Sequence, residues 1–133
     1  MKQEGKILAV AALLAALAVI AGAFGAHGLK NLVPAESVTS FQTAARYLLI
    51  HAVALIGLTA LPGDLISPRQ KKILFVLLII GVLLFSGSIF LLVLNKLWNI
   101  NALSILGPVT PIGGLFLISA WLFLFWITVT KKR

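Results

Sequence analysis

The sequence has no cysteine and only three acidic residues among its 133 positions. Without cysteine the chain has no disulfide framework, no thiolate nucleophile and no cysteine-based metal site. Two histidines with no nearby pair of carboxylates do not make up a metal-ligand set. The sequence also lacks a P-loop, a GxGxxG element and a Ser-His-Asp order. We therefore predict no metal, no cofactor and no enzymatic activity.

Charge of either sign is scarce, at 11% of the residues, whereas apolar residues make up 61% and the mean hydropathy is +1.13. Soluble domains are about 45–50% apolar, so the excess indicates that a bilayer surrounds the protein. A net charge of +8, taken alone, is typical of proteins that bind nucleic acid. The basic residues, however, flank long apolar runs and do not alternate with aromatic residues. We predict a membrane protein with lipids, and no nucleic acid, as its partners.

Four long apolar runs predict an all-α fold, a four-transmembrane-helix up-down bundle that is integral to the membrane. The predicted spans are about residues 7–27, 41–61, 73–94 and 105–128. Each is close to the roughly 20 residues that an α-helix needs to cross a bilayer. A soluble bundle would carry a polar stripe along each helix, and a β-barrel would alternate with period two; neither pattern is present. Residues 1–133 then form a single membrane domain.

The second and fourth spans are each preceded by a segment that we expect at the membrane surface. Pro34 suits the first turn of a helix, and apolar residues recur at helical spacing from Val38 to Leu48. One helix is therefore predicted from about residue 35 to 61, with an interfacial start over about 35–41. The uncharged run 97–130 is too long for one span, and its glycines and prolines place the entry of the fourth helix between Ser104 and Pro111.

Basic residues are distributed unequally between the two ends of the predicted bundle. Three lie at one end, namely Lys30, Arg46 and Lys96. Eight lie at the other, namely Lys2, Lys6, Arg69, Lys71, Lys72, Lys131, Lys132 and Arg133. The positive-inside rule places the end with eight in the cytoplasm. Both termini are therefore predicted to be cytoplasmic.

Unusual polar residues of all four helices meet at one predicted depth, in the outer half of the bilayer. The set consists of His27, Gln42, Arg46, Tyr47, His51, Ser86, Ser88 and Thr110. One interpretation is a structural cluster, whose hydrogen bonds fix the register of the helices. The other is a binding site for a lipid headgroup or small anion, with Arg46 facing the bundle as the charge. Alternatively, Arg46 extends to the interface as a surface anchor.

Small residues predict where helices approach one another closely. Glycine at a helix interface lets two backbones come near, because no side chain separates them. On this argument Gly22 and Gly87 are expected to face neighbouring helices.

Four motifs stand in order along the chain, namely Gly22–Leu29, Phe41–Ala44 with Tyr47 and His51, Phe85–Ser88, and Gly107–Gly114. Together they resemble the small membrane protein family catalogued as domain of unknown function 423, which has bacterial inner-membrane members and animal relatives. The resemblance covers nearly the whole chain. It implies a four-helix, multi-pass protein of the bacterial cytoplasmic (inner) membrane, and it implies no activity.

Two classes of function remain open. The first is a non-enzymatic membrane protein that binds lipid or another membrane protein, with a homo-oligomer as one form of such a partnership. The second is a small transporter or channel subunit, proton-coupled through His27 and His51. A transporter needs a polar path across the whole bilayer, and the inner half of the predicted bundle is almost purely aliphatic and aromatic. This favours the first class, although an oligomer could build a path between chains.

The topology can be tested with single cysteines, since the native chain has none. We expect Lys2→Cys and Lys132→Cys to be protected from a membrane-impermeant maleimide in intact cells, because both positions should lie in the cytoplasm. Lys96→Cys should be labelled. External labelling of either terminus would contradict the predicted orientation.

Overall fold

Four long helices account for most of the computed structural model, which describes residues 2–131. Helix α1 runs from Gln3 to Gly28 and ends in a π-helical turn, Phe24–Gly28; α2 is Ala35–Ala60. Helix α3 runs from Pro68 to Trp98 and contains a second π-helical turn, Leu83–Gly87. A 3-10 helix, Asn101–Leu106, precedes α4, Val109–Thr130. Lys132 and Arg133, which contribute to the base count, lie outside the described residues.

All four helices are long and apolar enough to cross a membrane. The predicted all-α, four-helix architecture is confirmed, and no strand occurs between residues 2 and 131. The single helix predicted from about residue 35 is present as α2. Helix α4 begins at Val109, inside the predicted window, and the segment before it forms the 3-10 helix. Many outward side chains are large and apolar, such as Phe125 and Trp126, each 63% exposed, which suits a hydrocarbon environment.

Local side-chain chemistry sets the two ends of α3. At its start, the Ser67 hydroxyl accepts a hydrogen bond from the Gln70 backbone N–H, and Gln70 Oε1 accepts one from the Ser67 N–H. This capping box, with Pro68 in the first turn, satisfies backbone donors that a helix leaves free. At its end, Asn99 adopts a left-handed conformation with φ 53°, which asparagine tolerates better than most residues.

Sequential helices are neighbours in the bundle. Helix α1 packs along α2, α3 packs along α4, and α2 contacts α3. We call the end that carries Gln3, Ala60, Pro68 and Thr130 the basic end, and the opposite one the far end. At the basic end, Gln3 Nε2 donates to the Pro68 carbonyl at 2.9 Å, so α1 is attached to α3 there as well.

Lys71 reinforces the basic end from inside the bundle. Its side chain is buried, and its Nζ donates to the Thr59 carbonyl at 3.5 Å. The Nζ also lies 3.9 Å from Oε1 of the half-exposed Glu4. Lys71 therefore connects α3 to both α1 and α2, and its buried charge has an acidic partner.

The prediction that Gly22 and Gly87 sit at close helix contacts is wrong. A Cβ added at either position would meet no atom within 4 Å. The close approach is at Gly113 of α4, where an added Cβ would collide with the Phe85 backbone nitrogen and lie 2.7 Å from the Leu84 carbonyl carbon. Spacing alone identifies small residues, but it does not tell which of them face a neighbour.

Gly113→Ala is expected to destabilise the protein by about 1–3 kcal/mol, because the obstacle is backbone and cannot rotate away. Thermal unfolding in a mild detergent measures the effect. Gly22→Ala and Gly87→Ala are matched controls that should melt at or slightly above the wild-type temperature, since alanine favours helix and meets open space. Wild-type melting of Gly113→Ala would contradict the assigned contact between α3 and α4.

Candidate functional site

His51 is buried between α2 and α4, with 5% of its surface exposed. Its Nδ1 lies 2.7 Å from the Tyr47 carbonyl oxygen, and its Nε2 lies 3.3 Å from Nε1 of Trp121. A carbonyl only accepts hydrogen bonds and an indole N–H only donates them. The ring is therefore neutral with its hydrogen on Nδ1, and both of its nitrogens are used within the protein.

Aromatic rings surround this histidine. The Tyr47 ring packs against Phe85 of α3 at 4.7 Å between centroids, and Trp121 lies 6.1 Å from the His51 ring. Sequence reasoning missed Trp121, which stands between Ala120 and Leu122 in a mainly apolar run. The available signal was its indole N–H, because a donor at membrane depth needs an acceptor inside the protein.

The predicted hydroxyl groups also bond between helices. Ser86 Oγ donates to the Ala44 carbonyl at 2.8 Å and so connects α3 to α2. Ser88 Oγ donates to the Phe85 carbonyl at 3.0 Å and lies 2.6 Å from Thr110 Oγ1. Because the single Ser88 hydrogen is used on Phe85, Thr110 is the donor of the second bond. These contacts are what a structural polar cluster requires.

The charged residues of the predicted site do not join this cluster. Arg46 and His27 are exposed and Gln42 is partly buried. Within residues 2–131 none of the three side chains makes a hydrogen bond or ion pair. The hypothesis that Arg46 faces the bundle is therefore corrected: Arg46 lies two positions before the buried Leu48, a rotation of about 200° around the helix, which turns Arg46 outward. Its exposure fits the alternative of a surface anchor.

A separate apolar groove, which we call the α1–α3 groove, opens on the side of the bundle. It has a volume of about 410 Å³ and lies between α1 and α3, with Phe41 and Leu48 of α2 also lining it. Gly87 lines it without filling it. Ser86 is the one polar side chain in the lining, and its hydroxyl is bonded to Ala44. Sequence reasoning missed the groove because it assigned Gly87 to a helix contact.

The residue types that bind metals lie apart in the part of the chain that the structure describes. Among the described residues no three His, Cys, Asp or Glu side chains come together. His51, the buried candidate ligand, has both ring nitrogens engaged.

Comparison with known proteins identifies relatives of matching length. A UPF0382 membrane protein of Staphylococcus saprophyticus is 35% identical over 113 residues, which cover 85% of this chain and 88% of the relative. One from Schizosaccharomyces pombe is 39% identical over 114 residues, covering 84% and 92%. One from Haemophilus influenzae is 30% identical over 121 residues, covering 90% of each. No solved structure matches the chain.

The family model described as protein of unknown function (DUF423) matches residues 21–114. This stretch contains all four of the ordered sequence motifs, from Gly22–Leu29 to Gly107–Gly114. Together with relatives that are named membrane proteins, the match confirms the predicted resemblance. The chain belongs to the DUF423 family of membrane proteins.

Proposed function

We propose that this protein is a non-enzymatic, lipid-binding membrane protein that holds one phospholipid acyl chain in the α1–α3 groove. The observation that carries the proposal is the apolar lining of a groove of about 410 Å³ that opens sideways from the bundle. Inside a bilayer such a groove is surrounded by hydrocarbon. An acyl chain is therefore the occupant that matches both its chemistry and its setting.

The walls of the groove favour one retained chain over freely exchanging lipid. Phe24, Phe41 and Phe90 line it from three helices, and the Phe41 ring packs against those of Phe24 and Phe90 at 5.8 Å and 4.7 Å between centroids. Packed aromatic rings present a shaped surface, and association within lipid depends on such van der Waals packing. A chain that fits the groove gains more contacts there than in the surrounding bilayer.

The interhelical hydrogen bonds support a binding role over transport. A proton-coupled path through His51 would need partners that pass protons on, and a backbone carbonyl and an indole N–H do not. On the basic-end side of Trp121, the neighbouring cavity is lined by apolar residues such as Leu58, Leu78 and Leu124. His27 is exposed and does not hydrogen-bond to His51. These features favour lipid binding as the role of the described bundle.

The proposal includes a location. We place the protein in a bacterial cytoplasmic membrane with the basic end and both termini on the cytoplasmic side. The support is the unequal distribution of basic residues along the sequence. Eight belong to the basic end, whereas three, Lys30, Arg46 and Lys96, belong to the far end. The groove then lies mainly in the outer half of the bilayer.

Filling the groove tests the proposal directly. Gly87→Leu adds a side chain where no atom lies within 4 Å, so the fold should tolerate it while the acyl chain loses its space. Native mass spectrometry of delipidated protein titrated with dioleoyl phosphatidylcholine, which has no N–H group, should show one lipid bound by the wild type. We expect the lipid-bound fraction of Gly87→Leu to fall at least about tenfold.

Gly22→Leu is the matched control for this experiment. Gly22 also has open space around it but does not line the groove, so this variant should retain the wild-type amount of lipid. Equal lipid retention by Gly87→Leu and wild type would show that the groove does not hold the chain.

A further inference from the structure

A second cavity lies at the far end, where α2 begins and α3 ends. It has a volume of about 390 Å³, and the 3-10 helix contributes to its lining. We call it the far pocket and define it by its polar residues Glu36, Ser37, Ser40, Asn95, Lys96 and Ser104. No residue of the α1–α3 groove lines it, so it is a different site.

Asn95, one of the residues that line the far pocket, carries a buried acceptor that lacks a donor. Oδ1 of Asn95 is buried and has no hydrogen-bond partner, and it is the one such side-chain atom in the described part of the chain. A buried acceptor without a donor is uncommon in proteins, because desolvation is not repaid by a bond. A ligand with N–H groups would supply the missing bond.

The neighbouring groups are acceptors as well. The hydroxyl hydrogens of Ser40 and Ser104 are donated to the backbone carbonyls of Glu36 and Asn101, so their oxygen lone pairs remain available. The Glu36 carboxylate forms no salt bridge with any residue that the structure describes. The pocket therefore combines negative charge with several acceptors, which suits a cation that donates hydrogen bonds.

Lys96 adds a positive group to the same pocket. Its Nζ donates to Ser37 Oγ at 3.0 Å, and its side chain is exposed. An ammonium group has three donors, so two remain for an anion. The far pocket thus presents acceptors for a cation and a donor for an anion within one cavity.

We propose that the far pocket binds a phosphoethanolamine group. The primary ammonium would donate to Asn95 Oδ1 and pair with Glu36, and the phosphate would be held by Lys96. The position at the end of the spans is where lipid headgroups lie. The group can belong to a phosphatidylethanolamine lipid or to free phosphoethanolamine, since both carry the same chemistry. This site is independent of the acyl chain proposed for the groove.

Two lipids with identical chains test the assignment. Dioleoyl phosphatidylethanolamine has three N–H donors, whereas dioleoyl phosphatidylcholine has the same phosphate and charge but no N–H. We expect native mass spectrometric titration of the full chain to show at least about tenfold tighter binding of the ethanolamine lipid. Free phosphoethanolamine is the third arm. If it displaces the ethanolamine lipid, the ligand is assigned as soluble, and if it does not, the ligand is assigned as the lipid.

Variants of Asn95 connect this preference to the pocket. Asn95→Leu removes the acceptor and should abolish the preference, whereas Asn95→Asp keeps acceptor oxygens and should preserve it. Asn95→Leu should not lower the melting temperature in detergent free of ethanolamine lipid, because the acceptor has no partner there. Asn101→Leu, an exposed asparagine on the 3-10 helix, is the control that should bind as wild type.

Equal affinity for the two lipids, or an unchanged preference in Asn95→Leu, would overturn the inference. The result is separable from that of the groove, because the comparison cancels the contribution of the chains. Gly87→Leu should therefore leave the ratio of the two affinities unchanged.

Discussion

The position of the helices depends on one constraint, that hydrogen-bonding groups at membrane depth must find partners inside the protein. The π-helical turn Leu83–Gly87 of α3 is where this requirement brings three helices together. Ser86 donates to the Ala44 carbonyl of α2, and Gly113 lets α4 approach the backbone at Phe85. One residue beyond the turn, Ser88 shares a hydrogen bond with Thr110 of α4. Helix α1 is held in position indirectly, by its packing along α2 and by the hydrogen bond from Gln3 to Pro68 at the basic end.

This use of the polar residues determines which surfaces remain for binding. His51, Ser86, Ser88 and Thr110 are engaged with one another's helices, so the middle of the bundle offers little to a polar ligand. Helix α1 is not drawn against α3 by such bonds in the far half, and the α1–α3 groove is the space that results. At the far end the helices separate into a polar cavity, where Asn95 keeps a buried acceptor without a partner. The two proposed lipid contacts therefore use cavities that lie beside the bonds of His51, Ser88 and Thr110.

Hydropathy was sufficient to predict the four helices, because a run of about 20 apolar residues has few other stable forms. Tyr47 and His51 were both predicted to belong to the polar set, and the structure places their rings 6.0 Å apart between centroids. Other features depend on how the helices pack against one another. Arg46 lies at the predicted depth but on the outward side, since depth follows from position along a helix and facing follows from packing. Trp121, Gly113 and the groove could not be predicted for the same reason: each depends on which helices are neighbours and how closely they approach.

The polar residues His51, Ser86, Ser88 and Thr110 form hydrogen bonds between helices and are not free to bind a ligand. A double-mutant cycle between Ser88 and Thr110 measures this most directly, because the two hydroxyls bond to each other across α3 and α4. Ser88→Ala, Thr110→Val and the double variant would be unfolded reversibly in mixed detergent micelles, and the cycle would cancel the separate bond of Ser88 to Phe85. The predicted coupling is about 0.5–1.5 kcal/mol in favour of the folded state. Additive effects of the two substitutions, with no coupling, would contradict the account.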